Sequence, residues 1–449
     1  MTTPIVDFVR RYVDRNTLRL HMPGHKGASA LGAEPWDITE IEGADVLYGA
    51  QGIIRESEEN AARLFGSERT LYSTEGSSLC IRAMLALAMW EARVRGVKPL
   101  VAAGRNAHKV FTSAAALLDL DVAWLYGEEK NSLLSCRITP EYLARTLDAM
   151  QQKPIAVYLT CPDYLGNVLE LCSLGEICRQ RNVLLLVDNA HGAYLRFLPE
   201  SRHPIDLGVD ACCDSAHKTL PVLTGGAYLH LGKNAPASFL ENAERAMSLF
   251  ASTSPSYLIL QSLDFANRTL ADGYAERLAH TCERINALKV RLRELGYMLI
   301  GDEPMKLTLQ TKPWGYAGIE VAAYLDGRSI VCEFADRDFL VMMLTPDLTE
   351  TAIAQIESAL IELPKREPIL EQPPLPKAGE MVCSLREATL ACSESIAIDD
   401  CEGRVLASAQ FSCPPAIPIV VCGERIDRSA IECMRYYGIT HARVVSLTK

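Results

Sequence analysis

A lysine and an aspartate in this chain have the side-chain types and the sequence surroundings needed to hold an aldehyde cofactor. Lys218 follows an apolar run, residues 209–213, and lies in the turn Ser215-Ala-His-Lys-Thr219. A lysine beside hydroxyl and imidazole groups can form a Schiff base with an aldehyde. Asp188 ends a second apolar run, residues 183–187, where its carboxylate can pair with a protonated pyridine nitrogen. Together the two residues indicate a pyridoxal phosphate site.

Each of these residues also has an ordinary structural interpretation. A single lysine is most often a surface residue, and an aspartate at the end of a strand commonly caps the following turn. The combination favours the cofactor site. Ala190 and His191 follow Asp188 closely enough to line the same wall.

The segment Thr74-Glu-Gly-Ser-Ser78 is suited to the phosphate of that cofactor. It precedes an apolar helix predicted over residues 77–94. Gly76 permits close backbone approach, Ser77 and Ser78 supply hydroxyls, and a helix N-terminus offers free N–H groups and a favourable dipole. Serine also caps helices without any ligand, so this motif carries weight only beside Lys218.

Histidines are candidates for two further roles. His108 lies where a predicted strand gives way to a helix, so its imidazole could stack on a cofactor ring. A capping or solvated histidine is an equal alternative at that position. His21 and His25 are separated by Pro and Gly, which preclude a regular helical pair, and no carboxylate or cysteine clusters with them at ligand spacing. We therefore expect no metal.

The elements that position these residues alternate between strands and helices. Strands are predicted at residues 100–103, 122–126, 155–160, 183–187, 209–213 and 227–231. Helices are predicted at residues 58–65, 77–94, 108–118, 140–150 and 174–181. This alternation predicts an α/β fold with a mostly parallel sheet covered on both faces. Ligands bind beyond the carboxyl ends of such strands, which is where Asp188 and Lys218 lie.

The remainder of the chain is predicted to form smaller modules. A helix over residues 258–295 leads to strands at 306–310, 330–333 and 340–344, with helices at 318–325 and 349–360. Five prolines mark residues 364–380 as a linker, and prolines also require residues 413–418 to be extended. The predicted division has five parts: an N-terminal arm (1–55), a large cofactor domain (56–275), a small α+β domain (276–363), the proline-rich linker (364–380) and a C-terminal α+β module (381–449).

Composition excludes several classes of function. The chain has 449 residues and a formal net charge of −11, which argues against a nucleic-acid partner. Its 15 cysteines include no C-x-x-C pair, which indicates reduced thiols in the cytoplasm. The N-terminus has no apolar signal segment, and no apolar run reaches the length of a membrane span. We therefore expect a cytoplasmic protein without a membrane partner.

These motifs resemble those of the bacterial Orn/Lys/Arg decarboxylases, a family of fold-type I pyridoxal phosphate enzymes. The resemblance covers nearly the whole chain and rests on ten motifs: His21-Met-Pro-Gly-His-Lys-Gly27, Asp37-Ile-Thr-Glu40, Gly76-Ser-Ser78, Asn106-Ala-His-Lys109, Asp188-Asn-Ala-His-Gly192, Ser215-Ala-His-Lys-Thr-Leu-Pro221, Ser252-Thr-Ser-Pro255, Glu333-Phe-Ala-Asp336, Pro414-Pro-Ala-Ile-Pro418 and Gly423-Glu-Arg-Ile426. It implies an aspartate aminotransferase-like large domain with a mostly parallel seven-stranded sheet. It also implies the short form of the family, without an N-terminal response-regulator-like domain.

The resemblance assigns roles to individual residues. It implies Lys218 as the covalent link to the cofactor, Asp188 as the partner of the ring nitrogen and His108 as the stacked imidazole. The residues implied to surround the phosphate are Gly76, Ser77, Ser78, Ser215 and His217. Thr253 would reach the cofactor of a neighbouring subunit, which implies a homodimer, or a higher even-numbered homo-oligomer, with sites at the interface. Lys218 or His217 would return a proton to the substrate Cα.

The implied activity is decarboxylation of arginine, lysine or ornithine to the amine and CO2, with pyridoxal 5'-phosphate as cofactor. Two alternatives stay open: another pyridoxal reaction, such as transamination or elimination, and a catalytically silent relative that binds the cofactor. Arg328 and Arg337 are the only arginines in residues 300–360, and neither lies in a motif that would clamp a substrate carboxylate. That absence favours decarboxylation, since an ion pair would stabilise the group that must leave.

The sequence departs from the family pattern close to the predicted site. Asn189 stands where the family usually has Glu, Glu75 stands where a neutral residue is usual, and Asp214 replaces a more typical neighbour of the lysine motif. The preferred substrate depends on the depth of an acidic side chain. Four carboxylates are candidates for that role: Glu333, Asp336, Asp163 and Asp214.

Overall fold

The computed structural model describes residues 1–128, 132–408 and 417–447, and the chain forms two compact units. The first unit contains Met1–Pro99, Ile155–Tyr158 and Leu171–Arg277. The second contains Leu100–Pro154, Leu159–Glu170 and Leu278–Lys449. Because the units are interleaved along the chain, the boundaries of the predicted modules stay predictions.

The α-helices are α1 (Pro4–Asp14), α2 (Ile53–Phe65), α3 (Ser77–Val94), α4 (Lys109–Leu118), α5 (Pro140–Ala149), α6 (Leu171–Gln180), α7 (Ala216–Thr219), α8 (Ala237–Ser248), α9 (Tyr257–Ala271), α10 (Tyr274–Glu294), α11 (Gly318–Asp326), α12 (Glu350–Glu362), α13 (Leu385–Leu390) and α14 (Arg428–Tyr436). The strands are β1 (Arg69–Ser73), β2 (Leu100–Gly104), β3 (Asp121–Leu125), β4 (Ala156–Thr160), β5 (Leu184–Asp188), β6 (Ala211–Asp214), β7 (Ala227–Leu231), β8 (Met298–Ile300), β9 (Lys306–Gln310), β10 (Phe334–Ala335), β11 (Phe339–Met343), β12 (Ser393–Ala397) and β13 (His441–Val445).

The main sheet has seven strands in the order β1-β7-β6-β5-β4-β2-β3. β5 and β6 pair in parallel, as do β2 and β3, whereas β7 runs antiparallel to both β1 and β6. The predicted α/β class and the mostly parallel seven-stranded sheet are therefore confirmed. Within the first unit, α3 is buried over most of its length and packs against β6, β7 and α8, which accounts for its lack of a polar face.

β1 is a strand that the sequence analysis missed. Its segment Arg69-Thr-Leu-Tyr-Ser73 shows no clear apolar alternation, yet four of its five residues are buried. The buried polar side chains have partners: Thr70 Oγ1 lies 2.8 Å from Nδ1 of His230, and the Ser73 hydroxyl donates to the Gly76 carbonyl at 2.9 Å. Polar groups satisfied by the fold thus hid the strand from a hydrophobicity pattern.

Three predicted elements have different bounds. The helical stretch predicted around residues 258–295 consists of two helices: α9 and α10 are separated at Gly273, whose φ of +67° suits glycine. The strand at residues 330–333 is wrong, because the ladder with β11 begins at Phe334, which pairs with Val341. α2 begins earlier than predicted because the Asp45 carboxylate accepts the N–H groups of Gly52 and Ile54 at its start.

The second unit also contains two smaller sheets. One has four antiparallel strands in the order β10-β11-β9-β8, and the other pairs β12 with β13. Residues 364–380 form no helix or strand, in keeping with a linker. Of the segment predicted to be extended, residues 413–418, only Ile417 and Pro418 lie within the described residues. No cysteine that the structure describes forms a disulfide, and no helix in the described ranges is long and apolar enough to span a bilayer.

A buried carboxylate fixes the N-terminal helix to the first unit. Oδ2 of Asp264, on α9, accepts the N–H groups of Ile5 and Val6 at 2.9 and 3.0 Å, at the start of α1. Its other oxygen accepts the hydroxyl of Ser57 on α2 at 2.6 Å. Burial raises the pKa of Asp264 to about 6, although these three donors oppose the shift. One side chain therefore joins three helices.

Asp264→Ala is expected to lower the free energy of unfolding by about 2–3 kcal/mol, because it leaves buried donors without a partner. The folded-state pKa lies above the value of about 4 for an unfolded aspartate, so the folded state holds more protons between these values. The stability due to this group should therefore be largest below about pH 4 and fall as the pH rises towards 6. Urea unfolding of Asp264→Asn across this range should lack that decline. Asp272→Ala, an exposed acid just beyond α9, should leave it in place.

Candidate cofactor site

Two adjacent parallel strands bring the predicted lysine and aspartate to one edge of the sheet. Asp188 at the end of β5 is paired in register with Cys213 of β6. The residues that follow the two strands, 189–191 and 215–218, therefore leave the sheet at the same edge. This position is the one that the sequence predicted for a ligand.

Lys218 lies in α7 and is half-buried. Its Nζ is 3.0 Å from Nε2 of His191, which is itself 5% exposed. The two nitrogens are therefore within hydrogen-bonding distance of each other. The structure thus brings together Lys218 and His191, two residues predicted for the site from separate motifs.

Asp188 is 3% exposed and is surrounded by donors. The Tyr158 hydroxyl donates to Oδ2 at 3.2 Å, the Cys213 thiol to Oδ1 at 3.6 Å, and the Ala190 N–H to Oδ1 at 3.2 Å. Burial and the neighbouring Asp188 carboxylate hold the pKa of Tyr158 well above its ordinary value, so this hydroxyl keeps its proton. Three donors therefore surround this one carboxylate.

The N-terminus of α3 forms the third part of the site. Gly76, with a φ of +70°, precedes this 18-residue helix. The Ser215 hydroxyl donates to Oγ of Ser77 at 2.7 Å, and Nδ1 of His217 donates to the Gly226 carbonyl at 2.9 Å. A Cβ on Gly76 would lie 3.9 Å from Cε1 of His217, so that ring lies beside the helix terminus. Ser78 is half-buried in the first turn.

The carboxylate of Glu75 is turned away from the N-terminus of α3. Its Oε1 accepts the N–H of Ser252 at 2.7 Å, so the charge is directed to the segment that carries Thr253. Thr253 is exposed in the single chain. The unusual acid before Gly76 therefore holds the Ser252-Thr-Ser-Pro255 segment and leaves the helix terminus open to an anion.

The remaining predicted site residue, His108, belongs to the second unit. It is half-buried and caps α4, with its Nδ1 accepting the N–H of Val110 at 3.2 Å. The capping alternative is thus realised, and stacking on a cofactor stays a prediction. His21 and His25 have separate partners: Nε2 of His21 lies 2.6 Å from the hydroxyl of Tyr12, and Nε2 of His25 lies 3.3 Å from Asp37.

Two of the four acidic candidates for substrate recognition are used by their own loops. The Asp163 carboxylate accepts the N–H groups of Leu165 and Asn167, both at 2.9 Å. The Asp336 carboxylate accepts those of Asp338 and Phe339, both at 2.7 Å. These residues shape turns in the second unit. A third candidate, Glu333, is exposed and accepts the Tyr164 hydroxyl at 3.3 Å.

Sequence reasoning missed a buried polar cluster behind the lysine motif. Asp214, His203 and His230 are all fully buried, and their ligand-type atoms lie within 4.8 Å of one another. Asn189, also buried, donates from Nδ2 to Oδ1 of Asp214 at 2.6 Å. Asn189 and Asp214 are two of the residues that depart from the family pattern. No sequence signal connects the two histidines to them, because His203 lies in a loop and His230 in an apolar strand.

The residues fit pyridoxal phosphate. The helix terminus with Ser77, Ser215 and His217 suits a phosphate, the buried Asp188 carboxylate suits a protonated ring nitrogen, and Lys218 supplies the amine for an aldehyde. All these groups belong to the first unit.

Comparison with known proteins agrees with this arrangement. Residues 3–299 match the family model for the Orn/Lys/Arg decarboxylase major domain, and residues 380–443 match that for its C-terminal domain. The arginine decarboxylase of Bacillus subtilis (strain 168) is 27% identical, covering 96% of this chain and 92% of its own. That of Halalkalibacterium halodurans is 29% identical, covering 96% and 93%.

A solved structure shows the same fold. The constitutive lysine decarboxylase of E. coli has a TM-score of 0.78 to this chain at 19% identity, covering 99% of this chain and 82% of that chain. The chain therefore belongs to the Orn/Lys/Arg decarboxylase family, and it is an amino-acid decarboxylase of the pyridoxal-phosphate-dependent, fold-type I class.

Proposed function

We propose that this chain decarboxylates a basic amino acid, with arginine as the favoured substrate, by means of pyridoxal phosphate bound to Lys218. The observation that carries the proposal is the convergence of three groups at one sheet edge. Lys218 lies against His191, Asp188 is buried among donors, and the N-terminus of α3 is open to an anion.

In this proposal different residues bind the aldehyde, the ring nitrogen and the phosphate of the cofactor. Lys218 binds the aldehyde carbon and Asp188 pairs with the ring nitrogen. The phosphate is held by the backbone at Gly76 with Ser77, Ser78, Ser215 and His217. Ala190 and His191 line one wall of the ring. His108 would stack on the ring, and Thr253 would reach the site of a neighbouring subunit.

When bound, pyridoxal phosphate would supply an electron sink for the charge left on the substrate Cα as CO2 departs. The protein's task is to control protons and orientation. Asp188, oriented by Tyr158, Cys213 and the Ala190 N–H, would pair with the ring nitrogen and keep a proton on it. His191, whose Nε2 lies 3.0 Å from Lys218 Nζ, would hold that amine in place while substrate enters. Lys218 or His217 would then deliver a proton to Cα.

The choice of arginine comes from the curated relatives. The two bacterial proteins described above are named arginine decarboxylase and are similar to this chain over almost their whole length. Lysine is the second candidate, since the structural neighbour is a lysine decarboxylase, and ornithine is the third. A net charge of −11 is compatible with a cationic substrate.

A parallel assay tests both the reaction and the substrate class. Purified protein with added pyridoxal phosphate is given arginine, lysine or ornithine, each labelled with ¹³C in the carboxyl group. The expected result is labelled CO2 and the matching amine, fastest from arginine. Labelled keto acid in place of CO2 would contradict decarboxylation, and CO2 from lysine alone would contradict the choice of arginine.

Ser215→Ala is expected to weaken pyridoxal phosphate binding by about tenfold to a hundredfold, because it removes a hydroxyl from a charged phosphate. Titration of the apoprotein with pyridoxal phosphate and with pyridoxal, which lacks the phosphate, measures the effect. Binding of pyridoxal should change much less. Equal weakening of both ligands would place Ser215 outside the phosphate site.

We also propose that the active unit is a cytoplasmic homodimer or a higher even-numbered homo-oligomer. The exposed Thr253, on a segment held by Glu75, supports this assembly because its hydroxyl is available to a second copy. Sedimentation of the holoprotein should give an even number of subunits. Mixing equal amounts of an inactive Lys218→Ala protein and an inactive Thr253→Ala protein should restore activity only if Thr253 acts across the interface. Random pairing of dimers then predicts about a quarter of the parent activity, because half of the dimers are mixed and each of these has one intact site.

A further inference from the structure

Asp214, in the first unit, is an aspartate with no exposure to solvent. Asp214 ends β6, and both of its carboxylate oxygens are occupied. Oδ1 accepts the amide of Asn189 at 2.6 Å, and Oδ2 lies 2.9 Å from Nε2 of His203 and 3.3 Å from Nε2 of His230. A carboxylate in such a place is costly unless its partners are fixed.

The protonation of this cluster follows from its outer hydrogen bonds. Nδ1 of His203 accepts the N–H of Ile205 at 3.3 Å, so the ring proton is on Nε2 and is donated to Asp214. Burial alone would raise the pKa of Asp214, but His203 and His230 outweigh it and hold the pKa below its usual range. Burial lowers the pKa of His230, which favours a neutral ring. Asp214 is therefore an anion that accepts hydrogen bonds from Asn189 and His203, with Nε2 of His230 lying 3.3 Å from Oδ2.

The same three side chains have the atom types of a metal site, but the bonds just described argue for a different use. A metal would bind through a free lone pair on Nε2 of His203. That nitrogen carries the ring proton instead, because Nδ1 accepts the Ile205 N–H. All three residues are fully buried. The centroid of the Phe65 ring lies 4.5 Å from that of His230 and 5.3 Å from that of His203. The bonds to Asp214 from Asn189 and His203 give this carboxylate a structural role.

The cluster joins the two turns that carry the cofactor anchors. Asn189 directly follows Asp188, and Asp214 directly precedes Ser215 in the turn of Lys218. The bond between the Asn189 amide and Asp214 therefore connects these turns by side chains, where the β5–β6 ladder ends. The amide can make this bond in one orientation only, because its oxygen would repel the carboxylate.

We propose that Asp214 is a positioning residue of the cofactor site, which holds the Asp188 and Lys218 turns in register through Asn189. The proposal rests on the proposed function, because it concerns the geometry of the pyridoxal phosphate anchors. Because Asp214 is fully buried and bonded to Asn189 and His203, it would act without contacting substrate or cofactor. Its effect passes through the orientation of Asp188 and of the Ser215–Lys218 turn.

An exchange of the two side chains tests the proposal. Asn189→Asp alone places two carboxylates in contact and should raise the Kd for pyridoxal phosphate by roughly tenfold or more, as expected for loss of a buried polar bond. The double variant Asn189→Asp/Asp214→Asn restores a donor and an acceptor between the two positions. It also leaves an oxygen for His203 to donate to, so its Kd should return to within about threefold of the parent protein's value.

Two further variants keep the test decisive if Asn189→Asp folds poorly. Asn189→Ala removes the connection without adding charge and should also weaken cofactor binding and shift the visible absorbance of the bound cofactor. Asp210→Asn is the matched control: Asp210 is 6% exposed and accepts the Leu185 N–H at 2.7 Å, at the start of β6 and away from both turns. It should lower thermal stability without changing the Kd or the absorbance.

Two outcomes would overturn the proposal. One is an unchanged Kd and spectrum in a folded Asn189→Ala protein, and the other is a double variant no better than Asn189→Asp. The parent protein separates this inference from the proposed function. If it binds pyridoxal phosphate but releases no CO2 from basic amino acids, the substrate proposal fails, and the comparison of Kd values still tests Asp214.

Discussion

Lys218→Ala is expected to abolish decarboxylation, with a loss of about a thousandfold or more, and to remove the covalent attachment of pyridoxal phosphate. In the proposed function the Lys218 amine would hold the cofactor aldehyde, so alanine removes a reacting group. Borohydride reduction of the holoprotein, followed by digestion and mass spectrometry, should find the cofactor on the peptide that contains Lys218. The variant should carry none.

An exposed lysine provides the control for this experiment. Lys233 lies just beyond β7, on the surface of the same unit, and Lys233→Ala should keep both the activity and the modified peptide. Cofactor found on another lysine of the parent protein would contradict the assignment. So would a Lys218→Ala protein that retains turnover near the parent rate.

Asp188→Asn is expected to lower kcat by roughly a hundredfold or more while the cofactor still binds to Lys218. Asparagine has nearly the same shape but cannot hold a proton on the ring nitrogen, which makes the ring a weaker electron sink. Because Asp188 is 3% exposed, water cannot easily take its place. Steady-state kinetics and borohydride trapping, done on one preparation, separate the loss of chemistry from any loss of binding.

Tyr158→Phe is the matched comparison for Asp188→Asn. It removes one of the three donors to Asp188 and leaves the carboxylate charged. We expect a loss of less than about tenfold, the effect of one hydrogen bond. Equal losses in Tyr158→Phe and Asp188→Asn would show that the charge of Asp188 is not what matters.

The sequence was sufficient to predict six of the seven strands of the main sheet and to place Asp188 and Lys218 after two neighbouring strands. Continuous apolar runs ending at residues 187 and 213 predicted buried parallel strands, and Asp188 and Lys218 follow them. Parallel strands leave their carboxyl ends at one edge, so linear position carried three-dimensional information. The helix N-terminus at Ser77 was also predicted correctly, because an apolar helix after glycine and serine leaves little choice of start.

The partners of the buried polar groups could not be predicted. Asn189 and Asp214 were noticed separately, but only the pairing of β5 with β6 brings the amide to the carboxylate. His203 and His230 come from a loop and from an antiparallel strand, and neither has a periodic signal. The same limit hid β1, whose buried Thr70 is satisfied by His230. Long-range hydrogen bonds depend on the fold, whereas apolar periodicity is local.

The product formed from carboxyl-labelled arginine in D2O, with pyridoxal phosphate supplied, tests most directly whether this protein is a decarboxylase. If Lys218 and Asp188 support decarboxylation, labelled CO2 and the amine should appear in equal amounts, and the amine should carry one deuterium at Cα. A keto acid that retains the carboxyl label would contradict decarboxylation, because the bond between Cα and the carboxylate would then be intact.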